Sequence, residues 1–164
     1  MSNYRLGCVN ATQLDSREGA HMDRIVVGVD GSQHSIDALR WALDEARAHQ
    51  ASLEAIITWS YPVAADAYGG AMTIDPTTLA EGARQTLDNA IATACSDPEE
   101  QAAITRTVVE GGAGRALVEA SRAADLLVVG SRGHGGFTGL LLGSVSSQCM
   151  HHAHCPITVV RQAQ

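Results

Sequence analysis

Short apolar runs alternate with longer segments of helical periodicity from Met22 to the end of the chain. This alternation restricts the fold more than any other feature. The apolar runs predict strands at Arg24–Asp30, Ser52–Trp59, Ile104–Glu110, Leu126–Val129 and Ile157–Arg161. The segments of helical spacing predict helices at Ser35–His49, Thr77–Cys95, Ala113–Ala123 and Ser144–His151. Strict alternation of strand and helix is typical of a parallel sheet covered by helices on both faces. The sequence therefore predicts an α/β fold: a three-layer, doubly wound sandwich around a five-stranded parallel sheet.

The strands differ in how they are expected to lie in that sheet. The first and fourth strands are apolar without interruption, which indicates burial on both faces. Ile104–Glu110 alternates in polarity and suits a position towards the edge. In doubly wound sheets, ligands bind beyond the carboxyl ends of the strands, where the strand order reverses. Asp30 and Gly130 both end strands, so we expect them to face one crevice.

Length and composition argue against several classes of protein. A chain of 164 residues fits one domain, and none of its apolar runs approaches the length of a membrane span. The formal net charge of −7 and the aromatic content of 4% argue against a nucleic-acid surface. The first residues lack the apolar core of a secretory signal, so the four cysteines are expected to be reduced thiols in a cytoplasmic protein.

The first 21 residues do not share the pattern of the rest. Met1–His21 is polar and aperiodic, whereas Met22 introduces the first strand. We expect residues 1–21 to be a disordered extension, to stem from a start assigned upstream of Met22, or to include a cleavage scar at Gly19–Met22. The folded domain is therefore predicted to span residues 22–164.

The segment after the fourth strand is rich in glycine. The segment from Gly130 to Gly143 contains six glycines, counting both ends, and Ser144 and Ser146 open the helix that follows. A loop of this kind leaves backbone N–H groups unpaired at a helix N-terminus, where they attract phosphate. The positive end of the helix dipole adds about 0.3–1 kcal/mol, and Arg132 could add a charge-assisted contact. The alternative is a flexible loop whose serines are simple N-caps.

Gly130, Gly133, Gly143 and Ser144 fit the pattern Gly-x2-Gly-x9-Gly-(Ser/Thr) without a gap. This is the ATP-binding pattern of the universal stress protein family, which the chain resembles from Met22 to Arg161. The further matches are Ile25–Val29 with Asp30-Gly31-Ser32, the turn Gly111-Gly112, the strand Asp125–Gly130 and the closing segment Cys155–Val160. The resemblance implies a Rossmann-like fold of the adenine nucleotide alpha hydrolase type.

The resemblance also implies an adenine nucleotide across the carboxyl edge of the sheet. ATP is the expected ligand, with AMP, ADP or cyclic AMP as alternatives and with or without Mg²⁺. Asp30 would lie near the ribose and phosphates, although its alternative role is that of a turn residue or N-cap. Thr58 would place backbone atoms against the base. The complete expected set is Asp30, Thr58, Val129, Gly130, Arg132, Gly133, Gly143, Ser144, Val145 and Ser146.

By the same resemblance, the chain is expected to be a stress-response sensor or regulator. Its conformation, or its affinity for an unknown regulatory protein, would depend on the nucleotide, with the long loop predicted at Tyr61–Pro76 as the responsive element. A homodimer is implied through the last strand, at Ile157, Thr158, Val159 and Val160. A slow ATPase or phosphotransferase at the same site, a cyclic AMP-binding protein and a nucleotide-free interaction module stay open as alternatives.

Two further patterns of the sequence are interpreted as structural, and one nucleotide-binding motif is missing. Gly112–Leu117 resembles the start of a dinucleotide-binding fingerprint but lacks its third glycine, and we interpret it as a tight turn into a helix. No sequence ending in Gly-Lys-Ser/Thr is present, which weakens the case for a P-loop. The cluster Cys149, His151, His152, His154 and Cys155 is too compact for one tetrahedral zinc site.

His34 and His134 could lie near a phosphate. Neither has a partner in the sequence pattern that would orient it as a general base, so no catalytic residue is assigned.

Overall fold

A computed structural model of the protein describes residues 22–61, 75–134 and 142–161. The strands are β1 (Arg24–Gly28), β2 (Ser52–Trp59), β3 (Thr105–Glu110), β4 (Leu126–Gly130) and β5 (Ile157–Val160). The helices are α1 (Gln33–His49), α2 (Pro76–Ala94), α3 (Pro98–Ala103), α4 (Ala113–Ala120) and α5 (Ser144–His152). A 3₁₀ turn at Ser121–Ala123 extends α4. The expected α/β fold is confirmed.

The five strands form one parallel sheet in the order β3-β2-β1-β4-β5. The chain moves outward from β1 to β3 and then returns to β4 on the other side of β1. The strand order therefore reverses between β1 and β4, where Val26 lies opposite Leu127. This position is the switch point of the sheet, at whose carboxyl side ligands bind in such folds. β3 lies at an edge, as its alternating polarity predicted.

Two apolar cores lie on opposite faces of the sheet. On one face, Ile25 and Val27 of β1 pack with residues of α1 and α2 such as Leu39 and Leu87. On the other face, Val26 and Leu127 pack with Leu117 of α4 and Cys149 of α5, and with neighbours on β4 and β5. Alternate residues of β1 therefore enter different cores, which explains the unbroken apolar character of this strand. The arrangement confirms the three-layer sandwich.

The observed boundaries differ from the predicted ones where local hydrogen bonds override periodicity. β1 ends at Gly28 rather than Asp30, although the Val29 N–H still donates to the Ile56 carbonyl at 2.9 Å. α1 begins at Gln33, two residues earlier than predicted, because the Ser32 side chain caps the helix. Pro76 was expected in the preceding loop but begins α2, since a proline fits the first turn of a helix.

The short helix α3 was not predicted. Asp97 caps it by accepting the Glu99 N–H at 3.0 Å, and Pro98 follows directly as the first helical residue. The expected extension at residues 1–21 and residues 62–74 of the expected long loop lie outside the described part of the chain. Within the described ranges, no helix has the length and apolar character needed to cross a membrane.

Candidate functional site

A cavity of about 630 Å³ opens at the carboxyl edge of the sheet, beside the switch point. We call it the switch-point cavity. All ten residues expected at the site line it: Asp30, Thr58, Val129, Gly130, Arg132, Gly133, Gly143, Ser144, Val145 and Ser146. These residues come from the ends of β1, β2 and β4 and from the start of α5. The fold therefore brings together residues that are up to 116 positions apart in the chain, from Asp30 to Ser146.

The cavity has further walls outside the set of ten expected site residues. They are Gly28, Val29, Ser35, Ile56, Ala113, Leu117, His134, Leu142 and Ser147. Most of these follow from topology, because they lie at the carboxyl ends of β1 and β2 or at the start of a helix on that side. Of the two histidines considered for a place near phosphate, His134 lines the cavity and His34 does not.

The glycines of the loop have different structural reasons. A Cβ on Gly130 would lie 2.7 Å from the backbone oxygen of His34, so the close packing of β4 on α1 requires glycine there. A Cβ on Gly143 would meet its nearest atom, the Cα of Arg132, at an ordinary 3.5 Å. The φ angle of Gly143 is −77°, which any residue can adopt. Nothing in the described part of the chain therefore demands glycine at position 143.

The N-terminus of α5 has no side-chain cap from the residues that the structure describes, and it faces the cavity. Gly143 holds the N-cap position and offers no side-chain acceptor. Its own N–H donates to the Ser131 carbonyl at 2.8 Å, and the Ser147 N–H donates to the Gly143 carbonyl at 2.9 Å. The backbone N–H groups of residues 144–146 have no acceptor within the described part of the chain. Since all three residues line the cavity, they form a ready site for an anion.

The serine hydroxyls at this helix start have different partners. The buried Ser146 hydroxyl donates to the Gly130 carbonyl at 2.6 Å. Its one proton is therefore used inside the protein, although Ser146 lines the cavity. Ser144 is exposed, and neither its hydroxyl nor that of Ser147 hydrogen-bonds within residues 22–61, 75–134 and 142–161. These two hydroxyls can donate to a ligand in the cavity.

Asp30 connects two loops of the cavity wall. Its Oδ1 accepts the Ser32 N–H at 2.9 Å, and its Oδ2 accepts the His134 N–H at 3.0 Å. Burial alone would raise the pKa of the Asp30 carboxyl, but hydrogen bonds from Ser32, His134 and Ser35 together outweigh burial and hold the pKa below its ordinary value. The carboxylate is therefore ionised at neutral pH. The His134 ring Nδ1 lies 3.7 Å from Oδ2.

The charges on the cavity wall are few. Among the described residues that line the cavity, Asp30 carries a carboxylate and Arg132 a guanidinium. No carboxylate pairs with Arg132 in the part of the chain that the structure describes. The Arg132 guanidinium is thus available to a ligand. The rest of the wall, including Ile56, Leu117 and Val129, is largely apolar, as in most small-molecule sites.

The Cys/His cluster at the end of α5 is divided between the interior and the surface. Cys149 is fully buried in the core, while His151 and His152 are exposed and the His151 ring nitrogen Nδ1 lies 2.7 Å from the Ser147 carbonyl. Burial raises the pKa of the Cys149 and Cys155 thiols to about 11. Among the described residues, no group of three His, Cys, Asp or Glu side chains is placed to hold a metal ion.

The turn at Gly112–Leu117 has the structure expected of it and an unexpected position. Gly112 is the N-cap of α4, which begins directly after the turn. Gly114 packs against the Gln148 side chain of α5, where a Cβ would lie only 2.0 Å from Oε1. Ala113 and Leu117 line the switch-point cavity. Gly114 therefore lets α4 lie close to the Gln148 side chain, and α4 supplies an apolar wall of the cavity.

Fold and site together define a class of protein. The chain is a doubly wound α/β protein with a cavity of about 630 Å³ at its switch point, and the start of α5, which no described side chain caps, lies in the cavity wall. The model of the universal stress protein family matches residues 21–161. The protein belongs to the universal stress protein family, as the resemblance of its glycine pattern indicated.

Individual relatives agree with this assignment. Universal stress protein Rv2623 of Mycobacterium tuberculosis is 38% identical over 139 residues, which are 85% of this chain and 45% of that protein. The chain spans about half the length of the curated relatives it matches. Universal stress protein UspA from Lactobacillus plantarum has the same fold, with a TM-score of 0.69 and 22% identity over 87% of this chain and 100% of that one.

A second solved structure is that of a universal stress protein in complex with cAMP. It is 25% identical to this chain, with a TM-score of 0.61, and the match covers 88% of this chain and 100% of that one.

Proposed function

We propose that the protein binds an adenine nucleotide in the switch-point cavity and acts as a stress-response regulator. The binding would change its conformation or its affinity for a regulatory protein. The observation that carries the proposal is the uncapped start of α5, where three backbone N–H groups without an acceptor in the described chain line the cavity. Backbone N–H groups at a helix N-terminus are a recurrent phosphate site.

The cavity suits the two halves of a nucleotide. Its phosphate would accept hydrogen bonds from the N–H groups of residues 144–146 and from the Ser144 hydroxyl, and it would pair with Arg132. Ile56, Leu117 and Val129 offer an apolar wall to the nucleoside. Thr58, at the end of β2, lines the same cavity and can present its backbone to the base edge.

The adenine assignment is supported by the related universal stress protein in complex with cAMP. ATP is the ligand proposed for this chain, with AMP, ADP and cyclic AMP as the alternatives that the experiment compares. N–H groups and hydroxyls bind phosphate oxygens in the same way whether the nucleotide carries one, two or three phosphates. Mg²⁺ prefers oxygen ligands. If the nucleotide binds with Mg²⁺, the Asp30 carboxylate, which lines the cavity, would be the protein's ligand to the ion.

A homodimer through β5 is part of the proposal. β5 pairs with β4 on one side, and its other side forms an edge of the sheet. The N–H and C=O groups of an edge strand can pair with a second chain. Ile157 and Thr158 are half-buried in the monomer, so a partner strand would cover them further. We place this dimer in the cytoplasm.

Isothermal titration calorimetry with ATP, ADP, AMP, cyclic AMP and adenosine tests the proposal. We expect one adenine nucleotide per chain and weaker binding of adenosine, since adenosine lacks the phosphate that the α5 N-terminus would hold. ATP turnover is measured on the same samples. Binding without multiple turnovers supports a regulator, whereas multiple turnovers that are lost in Ser144→Ala, with ATP affinity retained, would identify an enzyme.

A further inference from the structure

Asp30 and His134 join two loops that are far apart in the sequence. Asp30 follows β1, and His134 lies in the loop that follows β4, 104 positions later. The two oxygens of the Asp30 carboxylate accept different N–H groups: Oδ1 accepts that of Ser32 and Oδ2 accepts that of His134. We call this pair of hydrogen bonds the Asp30 clasp. It spans the switch point, where β1 and β4 are neighbours.

Gly133 provides an independent indication of the same contact. A Cβ built on Gly133 would lie 2.3 Å from Asp30 Oδ2, far inside van der Waals contact. The backbone of Gly133 is not in the left-handed region, so its conformation does not demand glycine. Glycine is required at position 133 by the Asp30 carboxylate, which leaves no room for a Cβ. Glycine at 133 therefore permits the clasp, whereas glycine at 143 is not required by any described part of the chain.

The clasp is the second of two anchors on this loop. At the first anchor, the Ser131 N–H donates to the Val160 carbonyl at 2.8 Å, and the Ser131 carbonyl accepts the Gly143 N–H at 2.8 Å. At the second anchor, Asp30 holds the N–H of His134. Arg132 and Gly133 lie between the anchors and line the cavity beside the N-terminus of α5.

We propose that Asp30 is a positioning residue: its carboxylate holds the Arg132–His134 segment in its ligand-facing position before any nucleotide binds. The inference rests on the proposed function, because it assigns the clasp a role in nucleotide affinity. A loop that is held in place needs no ordering when the ligand arrives, and the apparent affinity of a site falls in proportion to the fraction of molecules in which it is formed. If the clasp is lost and the formed fraction drops to about one tenth, nucleotide affinity drops about tenfold.

Asp30→Asn is the first test, because asparagine keeps the size of the side chain but replaces one of the two accepting oxygens, Oδ1 or Oδ2, with an NH₂ group that only donates. Hydrogen exchange at the His134 amide is measured by NMR in nucleotide-free protein, and AMP affinity is measured by calorimetry. We expect exchange to be at least about tenfold faster and AMP to bind about tenfold more weakly. Weaker AMP binding with unchanged exchange would overturn the proposal, since it would make Asp30 a ligand contact alone.

Gly133→Ala is the second test and stays informative if Asp30→Asn does not fold. The added methyl group displaces the carboxylate, so His134 exchange should rise as in Asp30→Asn. The double variant should be no worse than either single variant, because both remove the same interaction. Additive losses of affinity would contradict the shared cause.

Asp125→Asn is the matched control. Asp125 Oδ2 also accepts two backbone N–H groups, those of Asp23 at 2.9 Å and Arg24 at 3.0 Å, but it lies at the amino edge of the sheet. This variant should lower stability while His134 exchange and AMP affinity stay at the wild-type values. A rise in His134 exchange in the control would show a general loosening and overturn the assignment to Asp30. If wild-type protein binds no AMP or ATP, the proposed function fails, while the exchange data still decide whether the clasp holds the loop.

Discussion

Gly143→Asp is expected to stabilise the protein and to weaken nucleotide binding. The backbone at Gly143, with φ −77° and ψ 165°, already has the extended conformation of an N-cap residue. A Cβ there meets nothing closer than 3.5 Å, so the aspartate fits. Its carboxylate would accept N–H groups at the start of α5, which are the groups proposed to hold phosphate. The substituted side chain would thus occupy the anion site from within.

The size of both effects follows from these contacts. An aspartate in place of glycine at an N-cap gains a few tenths of a kcal/mol, and its charge at the helix N-terminus adds about 0.3–1 kcal/mol. A total of about 1 kcal/mol raises the melting temperature of a domain of this size by about 2–4 °C. A hydrogen bond to a charged group contributes about 1.5–3 kcal/mol, so the loss of two lowers nucleotide affinity by about 100-fold or more.

Thermal unfolding monitored by circular dichroism measures the first effect, and calorimetry with ATP measures the second. Gly143→Ala is the control, because it adds the Cβ without an acceptor. It should lose less affinity than Gly143→Asp and should not raise the melting temperature. If Gly143→Asp binds ATP as tightly as the wild-type protein does, the N-terminus of α5 is not the phosphate site.

Three further substitutions test other parts of the structure. Gly130→Ala would place a Cβ 2.7 Å from the His34 carbonyl oxygen, so it should lower the free energy of unfolding by about 1–3 kcal/mol in urea titrations. Glu100→Gln should cost up to about 1 kcal/mol at pH 7. The hydrogen bond from Arg47 lowers the pKa of Glu100 to about 2, so this stabilisation is present above about pH 4.5 and is lost as the pH falls towards 2, where wild-type and variant urea midpoints should converge. Arg132→Ala should weaken ATP binding more than adenosine binding in calorimetry, and equal losses would contradict a phosphate contact.

Periodicity predicted the main elements because it is a local property of the sequence. β2 was predicted with its observed bounds, Ser52–Trp59, and the bounds of α2 were off by one residue at each end. The helix α3 was not predicted, because its six residues are too few to show a helical period. Its signal was the pair Asp97-Pro98, an N-cap residue followed by a proline suited to the first turn.

Contacts across the switch point could not be predicted in the same way. The pattern of elements predicts a doubly wound sheet, but it does not state that β1 lies beside β4. The hydrogen bond from His134 to Asp30 depends on that order, because the two residues follow neighbouring strands. The sequence places Ser146 at the start of a helix in the expected site, but it does not show which group its hydroxyl contacts. The short distance from Ser146 to the Gly130 carbonyl exists only once β4 and α5 are packed together.

Calorimetric titration of the wild-type protein with ATP, alongside Gly143→Asp, tests whether the switch-point cavity binds a nucleotide with its phosphate at the start of α5. We expect one ATP bound per chain in the wild-type protein and an affinity about 100-fold lower in the more stable variant. The absence of heat with ATP, ADP, AMP and cyclic AMP, in protein shown by mass spectrometry to carry no bound nucleotide, would contradict this expectation.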